Sequence, residues 1–228
     1  MAQTSANGPI DVYLELGQKR VFACALDWPG WCRSGKTEGD ALAALAAYAP
    51  RYAVVAREAG IPFPEEVQQS ALHVVGRVAG SARYTDFGVP GAVLARDREP
   101  LSAEEAARQV ALVRACWDVF DRIAAGAPAE LRKGPRGGGR DRDRLIAHVL
   151  GAETAYARKL GVKHREPAPD DAAAIAALRE AIGAALEATR EGVPSGATGW
   201  PAPYAARRIA WHVLDHAWEM EDRNIPAQ

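Results

Sequence analysis

A change of period constrains this chain more than any other feature. Up to about residue 80 apolar side chains alternate in short runs, and beyond residue 101 they recur every three or four residues. In the first stretch Val12, Leu14 and Leu16 share one face of a strand that Gly17 ends, and residues 20–26 give a second strand. Gly17-Gln18-Lys19-Arg20 makes a short hairpin connection between them. Trp28-Pro29-Gly30-Trp31 reads as a turn, and Thr37 with Asp40 as a helix start. Residues 41–59 are rich in Ala and Leu at helical spacing, with Pro50 kinking or dividing the helix and Gly60 closing it. Residues 72–78 form a third strand. The order is β-β-α-β, a small α+β domain with a Gly- and Pro-containing linker over residues 80–100. The boundaries that follow are 1–95 for this domain and 96–228 for the remainder.

The remainder reads as four helices. Ser102 and Glu105 have capping-box spacing, and Val110, Val113, Trp117, Phe120 and Ile123 follow at three- and four-residue steps until Gly126 and Pro128. A basic, glycine-rich loop over residues 132–140 precedes a helix from about Asp141 to Leu160. A third helix runs from about Asp170 to Arg190, ended by Gly192, and a fourth from about Tyr204 to Arg223. Long connections between four helices fit a bundle.

Charge excludes several classes of function. The 228 residues carry 28 basic and 29 acidic side chains, so no global field draws in nucleic acid or an anionic membrane. No apolar run reaches the roughly 18 residues of a membrane span, and the first residues lack the pattern of a signal peptide. Three cysteines (Cys24, Cys32 and Cys116) are too few for a disulfide framework and have no adjacent base; Cys24 and Cys116 read as core. A cytoplasmic protein is expected, with a small-molecule substrate, no nucleic-acid or membrane partner, and homodimerisation left open.

The histidines carry the chemistry. His212 and His216 sit four apart on the last helix, some 40° apart in azimuth and about 6 Å in height, so both imidazoles can reach one ion. They border the stripe of Ile209, Val213, Ala217 and Met220. His148 borders the stripe of Leu145, Val149, Ala152, Tyr156 and Leu160 in the same way. Three converging histidines with open positions match a catalytic rather than a closed structural site. Imidazole ligation suits zinc, nickel, copper or iron without choosing between them, and one divalent ion is expected at His148, His212 and His216. Read singly, a histidine on an apolar border is usually a satisfied core or boundary residue, and it is the pair with His148 that points to a metal. His73, in a strand, and His164, in a loop, are given no function.

Residues 144–153 (RLIAHVLGAE) followed by residues 207–219 (RRIAWHVLDHAWE) resemble the DinB/YfiT-like superfamily across about residues 100–224. The resemblance implies a four-helix bundle whose metal ligands correspond to His148, His212 and His216. It also implies kinship with thiol-dependent isomerases and thiol S-transferases, hence a low-molecular-weight thiol as co-substrate. Residues 22–42 (FACALDWPGWCRSGKTEGDAL) resemble a HicB-like antitoxin domain, which implies a partial double-stranded-RNA-binding fold for about residues 10–80.

Other residues admit two readings each. Glu153 lies on an apolar face and is the one catalytic candidate, as a general base or as a partner orienting a ligand histidine. A structural ion pair with an arginine of another helix is the preferred alternative. Asp215 and Glu219 fall on the side expected to be solvated. Trp117, Trp211 and Trp218 could wall a pocket, but packing is preferred, and Trp211 and Trp218 share a face suited to a domain or dimer contact. The loop over residues 132–144 holds six basic and two acidic side chains, and Gly137 to Gly139 could form an anion nest, with a solvated loop as the simpler reading. The expected function is a metalloenzyme activating a thiol or water nucleophile for transfer, isomerisation or hydrolysis. The alternative is a non-enzymatic metal-binding scaffold or a HicB-like regulatory, partner-binding protein.

Overall fold

The computed structural model describes residues 8–134, 139–188 and 199–224. The fold is α+β, a four-stranded sheet in the N-terminal half followed by helices. Strands β1 (Ile10–Leu16) and β2 (Val21–Ala25) pair antiparallel, as their alternation and the short Gly17 turn require. Beyond β2 lies β3 (Cys32–Gly35), which the sequence reading did not include. Four residues after a Trp-Pro-Gly-Trp turn are too few to show a period. Helices α1 (Glu38–Ala47) and α2 (Ala49–Glu58) follow, and β4 (Leu72–Ala79) returns parallel to β1, giving the order β3-β2-β1-β4.

The α1–α2 break at Tyr48 is the division expected at Pro50, which falls in the first turn of α2, where its missing N–H costs no helical bond. Thr37 and Asp40 cap α1 reciprocally.

Both faces of the sheet are covered. Even-numbered Val12 and Leu14, with the odd-numbered Ala25 and Ala23 opposite them, pack with Ala41, Leu45 and Tyr52 of α1 and α2. Tyr13, Phe22, Cys24 and Cys32 face the other way. That second face meets Trp211 and the partly buried Val89, Ala92 and Leu94 of the segment expected to be a linker. The segment is docked because the buried Glu15 carboxylate accepts hydrogen bonds from the Gly91 N–H (2.9 Å) and Ala92 N–H (2.9 Å), and from the Thr85 hydroxyl.

Four longer helices complete the chain: α3 (Ala103–Gly126), α4 (Arg142–Lys159), α5 (Ala172–Ala188) and α6 (Ala202–Arg223). The Ser102–Glu105 capping box opens α3 as expected. Arg190 and Gly192, the expected end of α5, lie outside the described residues. Helix α6 packs on α3, α4 and α5 and is buried on every side from Ala202 to Leu214. A helix covered all round belongs at the centre of a molecule.

The sheet half covers the remaining face of α6. Phe22 stands edge-on to Trp211 at 6.2 Å, and Tyr48 to Trp218 at 5.1 Å. Gly30, at φ +92°, lies so close to α6 that a Cβ there would stand 2.7 Å from the Leu214 Cδ1. Arg207 of α6 donates to the buried Asp97 at 2.8 Å, and Arg33 pairs with Asp215 at 3.1 Å. Asp215 is thus paired with the sheet half rather than freely solvated. One apolar core runs from β1 through α6 to α5. No described helix is long and apolar enough to cross a membrane.

Candidate metal centre

Helix α6 delivers His212 and His216 one turn apart, and α4, packed beside it, delivers His148. Their ring centroids stand 4.7 Å apart within the α6 pair, and 4.9 Å and 5.1 Å from His148 to His216 and His212. One nitrogen from each ring falls within a set spanning no more than 4.8 Å. The sequence thus located all three converging side chains. His212 is buried and the other two are partly exposed, so the cluster has a closed side and an open one. The Tyr156 ring stands edge-on to His212 at 5.7 Å, and Trp200 packs against Tyr156 at 5.1 Å, making an aromatic wall on the α4 side.

Burial, followed by the charge of His216 and of Arg140, holds the His148 pKa below the ordinary histidine value, against the opposing pull of Glu219. His212 is held well below it, first by burial, then by the other two histidines and by Arg208 and Arg140. Both imidazoles are therefore neutral at neutral pH, the form that ligates a metal.

Glu219 is the residue that sequence reasoning missed. Its Oε2 lies 2.9 Å from the His216 Nδ1, and its Oε1 accepts from Arg223 at 2.7 Å. The His216 hydrogen bond, with help from Arg223, holds the Glu219 carboxyl below its usual pKa. A charged carboxylate there accepts a hydrogen bond from the Nδ1–H and leaves Nε2 with its lone pair free. The available signal was the spacing of three from His216 and four to Arg223, which places all three on one helical face.

The donor set fits a divalent ion. The Nε2 atoms of His148 and His212 stand 3.3 Å apart. Two nitrogens each about 2.0–2.1 Å from one tetrahedral zinc are about 3.3–3.4 Å apart. Without an ion only one of two neutral imidazoles can donate to the other, whereas an ion satisfies both lone pairs. The buried His212 Nδ1 has no hydrogen-bond partner among the described residues.

The other candidates fall elsewhere. Glu153 is buried on α4, and its Oε2 lies 3.4 Å from the Arg179 Nε of α5, the interhelical ion pair that the sequence reading preferred. Burial, opposed by Arg179, pushes its pKa up to about 7. No hydrogen bond or ion pair joins Glu153 to the histidines among the described residues. Trp117 lines a cleft of about 980 Å³ between α3, α4 and α5, together with Ile146 and Leu150. None of the three histidines lines it. His73 pairs with Asp11 at 2.9 Å on the exposed edge strand, and His164 bonds the Arg165 carbonyl at 2.7 Å. Gly137 and Gly138 of the suggested anion nest lie outside the described residues.

No protein-family model matches the chain, and no curated protein or solved structure matches it.

Proposed function

We propose that this chain is a DinB-like metalloenzyme in which His148, His212 and His216 hold one divalent ion, zinc or nickel, and that it acts on a small-molecule substrate. The observation that carries the reading is the pair of neutral Nε2 atoms 3.3 Å apart with the third imidazole beside them. The mutual packing of α3, α4, α5 and α6 supports a four-helix bundle around this cluster, and the sheet with its helices supports a HicB-like N-terminal module. When bound, such an ion lowers the pKa of a coordinated thiol or water and presents it as a nucleophile at neutral pH. Glu219 keeps the proton on the His216 Nδ1 and the ring in place. Tyr156 and Trp200 shield the His212 side from water. Arg140 and Arg208 give the site a positive potential suited to an anionic group on the substrate or on a low-molecular-weight thiol. The reaction class is thiol transfer, thiol-dependent isomerisation or hydrolysis.

Metal content of untagged protein, measured by elemental analysis beside His148→Ala and His212→Ala, tests this. About one equivalent in the parent, lost in both variants while the far-UV circular dichroism is unchanged, is expected. No metal after reconstitution with zinc or nickel overturns the reading. Thiol activation is tested separately by adding dithiothreitol to cobalt-loaded protein. A new sulfur-to-metal charge-transfer band is expected, and an unchanged spectrum rejects the thiol chemistry.

A further inference from the structure

Cys24 and Cys32 lie outside the histidine cluster. They are register partners across β2 and β3, and their sulfurs are 2.8 Å apart. The backbone ladder decides whether this position can be bridged. The Ala25 N–H donates to the Trp31 carbonyl directly opposite at 3.0 Å, so residues 25 and 31 form a hydrogen-bonded pair. The neighbouring pair, Cys24 and Cys32, therefore occupies a non-hydrogen-bonded position, where opposed Cα atoms are about 4.5 Å apart and side chains approach closest. That separation lies within the roughly 4.4–6.8 Å that a disulfide spans. Both thiols are buried beside Tyr13, Trp211 and the buried Arg207, around a void about the size of one water molecule. The Arg207 guanidinium beside them is paired with the buried Asp97, and burial pushes the Cys32 thiol up, so the close approach of the two sulfurs is what favours the bridge.

We propose that Cys24 and Cys32 form a reversible dithiol–disulfide site in the folded protein, oxidised by hydrogen peroxide. One thiolate attacks a peroxide oxygen; the S–O bond forms, the O–O bond breaks, and the departing hydroxide leaves as water with the first thiol's proton. The second sulfur attacks the sulfenic sulfur; the S–S bond forms, the S–O bond breaks, and the hydroxide leaves as water with the second proton. The two sulfurs lose two electrons and the peroxide oxygens gain them. Peroxides small enough to penetrate fit this buried position, and bulky disulfides do not.

The test treats folded full-length protein with hydrogen peroxide, quenches with acid, and counts thiols alkylated after unfolding. Of the three cysteines, one is expected to remain reactive. A Cys24–Cys32 cross-linked peptide is expected by mass spectrometry, reversed by dithiothreitol and retained in Cys116→Ser. Cys24→Ser is expected to remove the cross-link and leave Cys32 as a sulfenic or sulfinic acid. Three reactive thiols in the parent, over-oxidation without a cross-link, or a link formed only after unfolding overturns the proposal. The parent's peptide map decides the outcome even if the serine variant does not fold.

Discussion

At the scale of single residues, Glu219 determines how His216 is presented. A neutral imidazole can carry its proton on either nitrogen, and the carboxylate 2.9 Å from Nδ1 selects that atom. Glu219→Ala is therefore expected to weaken zinc binding by roughly 10–100-fold, and Glu219→Gln by less, because the amide oxygen still accepts from Nδ1. Competition with a chromophoric chelator measures both. An alanine variant that binds as tightly as the parent would remove Glu219 from the site. The three histidines were legible because a spacing of four on a helix is itself a geometry, and because each bordered an apolar stripe. Glu219 was not, because the stripe placed it toward water, and only the structure shows its carboxylate held between His216 and Arg223. Glu153 was legible as a buried carboxylate needing a partner, but Arg179 is 26 residues away on another helix, with no local signal naming it.

Among the elements, the turn from Trp28 to Trp31 sets how the sheet half meets α6. Gly30 combines φ +92° with backbone and side chains of α6 inside the volume of a Cβ. Gly30→Ala is expected to destabilise the protein by roughly 2–4 kcal/mol, from strain and overpacking together. Gly60 is the control: its φ is +69° and nothing lies within 4 Å of its would-be Cβ, so Gly60→Ala carries only the backbone cost, about 1 kcal/mol. Urea denaturation of both variants compares them, and equal losses would mean that the turn does not press on α6. The sequence marked this segment as a turn but could not show what it touches, because Ala210 and Leu214 lie some 180 residues away. For the same reason it missed β3, which is too short to carry a period and exists through its pairing with β2. The longer helices were readable from their own repeats and caps, and α1 and α2 from Pro50.

For the whole molecule, the change of period that divides the sequence does not divide the core. Trp211, Trp218 and Leu214 are buried, with the sheet half supplying Phe22, Tyr48 and Gly30 against them. Exposing those three α6 side chains would cost roughly 6–9 kcal/mol at 2–3 kcal/mol each. Domains are typically stable by only about 5–15 kcal/mol. The metal-free protein is therefore expected to unfold in urea as one cooperative unit, with tryptophan fluorescence and far-UV circular dichroism tracing coincident curves. A fragment of residues 96–228 is expected to show no cooperative transition of its own. Two resolved transitions, or a fragment that melts like the parent, would mean that the halves fold independently and meet only as surfaces. One transition would make the sheet half part of the scaffold that holds α6, and with it two of the three histidines, in place.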